Sequence, residues 1–176
     1  YDTMKQDIHY TEQYIVSQTS MVCSILIDEG FIICSDDRMC NAYIPDKNYE
    51  LTGLGIIASN IAEIHPLIIT RLLEHWNYFE SLTTEQIIGI FSCFTDIKLP
   101  DDERYMNPSS KDDIVNKYAN NIIRMFEQYD TLEGETGVNT GINYIKALNF
   151  DLIDISMDWC NCNDETECKI FIEKEV

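Results

Sequence analysis

Cationic side chains are scarce in this chain: 12 lysines and arginines stand against 31 aspartates and glutamates, a formal net charge of −19 over 176 residues. A broad basic footprint for a phosphate backbone is absent from the bulk composition. Alanine occurs 5 times, against 26 isoleucines and 13 asparagines, a bias that fits the AT-rich coding of a large virus or a protist. Long apolar runs are missing as well. The stretches 55–58 and 67–69 fall far short of the roughly 20 residues that cross a bilayer, so no membrane span is expected. The opening Tyr1, Asp2, Lys5, Gln6 and Asp7 lacks the charged start and apolar core of a secretory signal. A fragment of a longer intracellular protein is expected, of cytoplasm, nucleus or virion.

Catalytic signatures are equally absent. No glycine-rich loop ends in Lys-Ser or Lys-Thr, no G-x-G-x-x-G occurs, and no G-x-S-x-G elbow is present. His9, His65 and His75 stand apart from any suggestive cysteine or serine. The chain by itself is therefore expected to have no catalytic, cofactor or metal site. Internal repeats, low-complexity tracts and sustained heptads are missing too.

What remains is an ordinary globular composition, 45% apolar and 24% charged, enough for one domain or two small ones with a real core. Seven cysteines, at 23, 34, 40, 93, 160, 162 and 168, are odd in number and scattered, which suits a reducing compartment. Cys160, Cys162 and Cys168, near Asp158 and Asp164, make a C-x-C-x5-C pattern that matches no standard zinc knuckle; they read as buried thiols, with Trp159 as core. Carboxylate pairs such as Asp36–Asp37, Asp101–Asp102 and Asp164–Glu165 read as solvated charge. Asp112 and Asp113 read as first-turn complements to a helix dipole.

Residues 2–29 are helix-compatible, with Ile8, Tyr14, Ile15, Val22, Ile25 and Leu26 at helical spacings and Gly30 as a left-handed cap. Strands are expected at 31–34 and 49–51, flanking a turn-rich 35–48 that holds Asp36, Asp37, Asn41, Pro45, Asp46 and Asn48. Helix, strand, loop, strand, helix is the order of a winged helix. Thr52 is the expected N-cap of a helix over 55–64, Pro66 bends the chain, and a further helix spans 67–78. Thr83 and Gln86 have capping-box spacing ahead of a helix over 87–94. After a loop over 98–110, Ser109 or Ser110 is expected to cap a helix to about 132, with Ile114, Tyr118, Ile122, Met125, Phe126 and Tyr129 as its stripe. Gly134, Gly137 and Gly141 mark a loop, 142–160 resumes a helical period, and 164–176 is amphipathic. Lys117 and Arg124, seven apart on the long helix, share a face and are the candidate contacts to a nucleic-acid backbone. Residues 55–64 hold no basic side chain, which argues against a DNA-recognition helix there.

The ordered set Leu51-Thr52-Gly53-Leu54-Gly55-Ile56-Ile57-Ala58, His65-Pro66-Leu67, Leu82-Thr83, Glu85-Gln86 and Ser92-Cys93-Phe94 resembles the C-terminal region of superkiller-type DExH-box RNA helicases. Ser24 to Leu26, Glu29 to Ile32, Asp151 to Ile153, Trp159 and Glu167-Cys168 extend the likeness, which is best over 21–97. It implies a mainly α fold: the end of a stalk-like helix at 1–20, a winged helix with a short two-stranded wing over 21–80, and a helical bundle over 81–176 that stops short at its C-terminal end. It also implies an accessory region that packs on two RecA-like motor domains and guides single-stranded RNA, with ATP and magnesium held by those motors. Ser92 and Cys93 would then serve helix packing. The acidic balance supports another expectation, a free-standing winged-helix module that binds a basic protein partner.

Overall fold

A computed structural model describes residues 2–35, 43–45, 47–97, 100, 104–144 and 146–175. The expectations for Asp36, Asp37, Cys40, Asn41, Asp46, Asp101, Asp102, Glu103, Ile145 and the two chain ends lie outside the described residues. Among them the fold is mainly helical: α1 (Asp2–Asp28), β1 (Ile32–Cys34), β2 (Tyr49–Leu51), α2 (Gly53–Ser59), α3 (Pro66–His75), α4 (Thr84–Ser92), α5 (Asp113–Thr136), α6 (Ile153–Trp159) and α7 (Glu165–Glu175). The chain divides into two compact units, residues 1–71 with 131–141 and residues 72–130 with 142–176.

In the first unit, α1 forms because 27 residues pass without Gly or Pro. Its stripe is not a buried one: Ile8, Tyr14 and Ile15 are exposed and only the last turns are partly covered. Gly30 ends it at φ 72°, where a Cβ would be strained, and the Phe31 N–H donates back to the Leu26 carbonyl. β1 and β2 pair antiparallel, with Ile32 opposite Leu51, Ile33 opposite Glu50 and Cys34 opposite Tyr49. Thr52 then caps α2 as expected, accepting from the Gly55 N–H at 3.1 Å. That helix stops at Ser59 rather than 64, because the Asn60 amide turns back to donate to the Ile56 carbonyl at 2.7 Å. His65 starts α3: its carbonyl accepts from Ile69 and its Nδ1 accepts from the Ile68 N–H at 3.4 Å. Arg71 of α3 ties down the end of α1, with Nε 3.2 Å from Glu29 Oε2, a bond from Nη2 to the Glu29 carbonyl, and its guanidinium over the Phe31 ring. Phe31, Cys34, Ala58, Ile68 and Ile69 are the buried apolar residues around this junction.

The second unit corrects several sequence expectations. α3 ends at His75, not at 78, because Asn77, Tyr78 and Phe79 take left-handed φ values of 47°, 54° and 66°. This turn sets Trp76, 5% exposed, against Phe79 and Tyr118. α4 opens on the full capping box of Thr83 and Gln86. The cap of α5 is Asp112 rather than Ser109 or Ser110: its Oδ1 accepts from Ile114 at 2.7 Å and Val115 at 3.1 Å, while the Ser110 hydroxyl donates to Asp154. A carboxylate is the stronger acceptor, and Gln86 Nε2, donating to Asp112 Oδ2 at 2.9 Å, holds it in place. The buried stripe of α5 is Val115, Ala119, Ile122, Phe126 and Tyr129: the expected Ile122, Phe126 and Tyr129 are there, while Val115 and Ala119 are buried in place of Ile114, which is exposed, and Tyr118, which is half-buried.

The expected helix over 142–160 shrinks to α6. Asn149, fully buried, explains the loss: its side chain donates to Ile97 and Thr95 and accepts from the Asp151 N–H, and its own N–H donates to the Cys93 carbonyl. A side chain that satisfies backbone groups in this way replaces the helical ladder. α6 packs closely on α4, where a Cβ added at Gly89 would lie 2.7 Å from Met157 Cγ. Trp159, expected in the core, is 47% exposed at the end of this short helix.

Candidate nucleic-acid interface and motif sites

The segment that opens the quoted motif set has a geometric basis at each key position. Thr52 donates its hydroxyl to the Gly30 carbonyl at 2.7 Å and the Phe31 carbonyl at 3.1 Å, and its N–H meets the same Phe31 oxygen at 3.0 Å. Gly55 lies one turn on, so close to that oxygen that a Cβ would fall 2.1 Å from it. Ala58, a turn further, is buried. The L-T-x-x-G-x-x-A pattern is thus a cap, a clearance and a small buried contact. None of these three groups is placed for chemistry.

The later segment is also structural. Ser92 donates to the Gly89 carbonyl at 2.7 Å, and Cys93 is fully buried, its thiol pushed up to about 12 by burial. A nucleophile needs an accessible thiolate, which Cys93 lacks. At the other thiols, Cys160 donates to the Ser156 carbonyl, and Cys162 is held protonated by burial, by its hydrogen bond with Cys168 and by Asp164 and Glu167. Among the described residues no three His, Cys, Asp or Glu side chains are grouped to hold a metal ion.

Lys117 and Arg124 both lie exposed on α5. Two helical turns separate them, about 10 Å along one face. Asn120 and Asn121 fall between them, and residues 114–126 contain no Asp or Glu. The two cations thus share one face of α5, with Asp113 one turn before Lys117 and Glu127 one turn beyond Arg124. Sequence reasoning missed the Gln86–Asp112 link and the Asn149 hub. The polar residues flanking apolar positions were the available signal for both. It also missed an apolar pocket beside Phe126, for which there was none.

A family model described as the DSHCT (NUC185) domain matches residues 48–168. This match begins just before β2 and runs to Cys168, so it takes in the whole quoted motif set and the long helix with its two cations, while the likeness over 21–47 lies outside it. No curated protein and no solved structure matches the chain. With more than half of its residues covered by the family model, the chain belongs to the DSHCT domain family, a domain found in DExH-box helicases such as those of the Ski2 type.

Proposed function

We propose that this chain is a non-catalytic accessory region of an ATP-dependent RNA helicase, which packs on the motor domains and guides the RNA strand. The DSHCT match over 48–168 carries the reading. In it, the β1–β2 hairpin is the wing of a winged helix, α4 to α7 form the bundle, and ATP and magnesium belong to the motors. Lys117 and Arg124 touch the RNA backbone. Their common face, with Asn120 and Asn121 and no carboxylate between them in sequence, supports this role. The chain's net −19 implies that these contacts orient RNA and that the motors supply most of the affinity.

The test is RNA-stimulated ATPase of the natural gene product and of its Lys117→Ala, Arg124→Ala variant. ATP turnover without RNA should be unchanged, while the RNA concentration for half-stimulation rises severalfold and its salt dependence weakens by about two phosphate contacts. A natural product without ATPase would overturn the helicase reading; an unchanged RNA dependence would overturn the role of the two cations.

A further inference from the structure

Three of the seven cysteines fall in one short stretch, at 160, 162 and 168, and the path of the backbone decides which of them meet. Asp164 caps α7, its Oδ1 accepting from the Thr166 N–H at 2.8 Å and the Glu167 N–H at 2.9 Å. Glu167 reaches back from the first turn, where its Oε2 accepts from the Asn163 N–H at 2.8 Å and from Asn163 Nδ2 at 3.0 Å. These bonds lay residue 163 against residue 167, which brings the adjoining positions 162 and 168 together. The Cys162 thiol donates to the Cys168 sulfur, and both side chains are half-buried. Cys160 is engaged elsewhere, its thiol donating to the Ser156 carbonyl at 3.1 Å at the end of α6, and Cys34 and Cys93 are buried.

Two thiols in contact at a surface turn differ chemically from isolated ones. A disulfide needs Cβ atoms about 3.5–4.5 Å apart on converging bonds, and thiols that share a hydrogen bond already converge. Proximity makes the second thiol the group that resolves an oxidised first one. The surroundings select the oxidant. Asp164 and Glu167 keep their charge while bonded to neutral amides, so residues 162–169 set three carboxylates against one cation, Lys169, itself paired with Glu165. A small neutral oxidant is admitted there, and an anionic disulfide such as oxidised glutathione is repelled.

We propose that Cys162 and Cys168 are a redox-modified pair, which hydrogen peroxide converts reversibly to an intramolecular disulfide tying the turn after α6 to the first turn of α7. Burial, then the hydrogen bond to Cys168, hold Cys162 protonated, so Cys168 attacks and Cys162 resolves. The Cys168 thiolate forms an S–O bond as the O–O bond breaks, and the departing hydroxide takes up the thiol proton as water. Cys162 then attacks the sulfenic sulfur: S–S forms, S–O breaks, and the Cys162 proton leaves with the hydroxyl as a second water. Two electrons pass from the sulfurs to the peroxide, and a dithiol reductant returns them. The capping bonds at this turn are exposed, so a covalent link slows its opening. The proposal goes beyond the helicase reading and does not rest on it.

The experiment treats the reduced full chain with a small excess of hydrogen peroxide, blocks remaining thiols with N-ethylmaleimide and maps the links by peptide mass spectrometry. The folded chain should lose two hydrogens and carry the 162–168 link, with Cys160 alkylated, roughly tenfold more often than any other pairing. The chain unfolded in urea should lose that preference. A 1,3-diketone, which captures sulfenic acid, should label Cys162→Ser at Cys168 and leave Cys168→Ser unlabelled at Cys162. Amide exchange at 166–168 should slow severalfold on oxidation and recover with dithiothreitol. No loss of two hydrogens, a link to Cys160, or covalent dimers would overturn the pair. Diketone labelling of Cys168→Ser in preference to Cys162→Ser would overturn the assigned roles, and unchanged exchange would overturn the tie on α7.

Discussion

Replacing Gly55 by Ala should destabilise the protein even though it improves helix propensity. Gly55 sits in α2, where Ala is favoured over Gly by about 0.5–1 kcal/mol. Against that gain, the new Cβ would meet the Phe31 carbonyl oxygen at 2.1 Å, a distance that forces backbone apart. Overpacking of this kind costs about 1–3 kcal/mol. The displaced oxygen also accepts from the Thr52 N–H and hydroxyl, and two weakened hydrogen bonds add about 1–3 kcal/mol. The balance is a loss of about 3 kcal/mol, or roughly 6–12 °C in Tm for a chain of this length. The control lies two residues away: a Cβ at Gly53, in the same first turn, meets nothing within 4 Å, so Gly53→Ala should be neutral or slightly stabilising. Urea and thermal unfolding of both variants provide the assay. Equal stability of the two alanine variants would refute the steric reasoning.

Thr83→Ala should cost about 0.5–2 kcal/mol through loss of the α4 cap, and Gln86→Glu should cost at least as much, because it replaces the buried donor to Asp112 by a second carboxylate facing it; equilibrium unfolding measures both. The Gln86 hydrogen bond, aided by the Ile114 and Val115 N–H groups and opposed by burial, lowers the Asp112 carboxyl below its ordinary 3.8. Its stabilisation is therefore present above pH 3.8 and lost as pH falls through the lower folded value, a dependence that Asp112→Ala should remove from the unfolding curves. Burial lowers His65, against the opposing charge of Glu133, so its contribution is present above 6.5 and fades as the ring protonates and its Nδ1 stops accepting from Ile68; the stability gap between wild type and His65→Ala should narrow from pH 6.5 downwards. Thiol alkylation at pH 8 followed by peptide mass spectrometry should modify Cys162 and Cys168 well before Cys93, and rapid labelling of Cys93 in the folded protein would refute its burial.

Local signals were the legible ones. The capping bonds of Thr52 and Thr83 and the stop at Gly30 are made to residues a turn or so away, so spacing alone identified both caps and the helix stop, though not the Thr52 hydroxyl's bonds back to Gly30 and Phe31. Asp112 was misread because its partner Gln86 is 26 positions away, and Ser110 has the same intrinsic capping ability until Asp154 takes its hydroxyl. The period over 142–160 was real as apolar spacing, yet Tyr144, Leu148 and Phe150 reach the interior from non-helical backbone because Asn149 satisfies that backbone instead. On α5 the expected Ile122, Phe126 and Tyr129 are buried, whereas the first turns bury Val115 and Ala119 in place of Ile114 and Tyr118, since burial there depends on what packs against the start of the helix. For the candidate interface, Lys117 and Arg124 were legible as positions on one face. The pocket at Met106, Phe126 and Tyr144 was not, because three segments distant in sequence build it.

The Gln86–Asp112 bond fixes the start of α5 beside the start of α4, so the intervening chain over 94–112 must return only the length of α4, about 13 Å. Fully extended it would reach roughly 60 Å. That slack makes the connection a natural place for the polypeptide to grow. Doubling such a loop costs only about 0.6 kcal/mol of closure entropy. Insertions at Met106 and Asn107, exposed between the Tyr105 anchor on Asp151 and the Ser110 anchor on Asp154, should leave the helices intact, so a tag or an entire extra module grafted there would ride on an undisturbed scaffold.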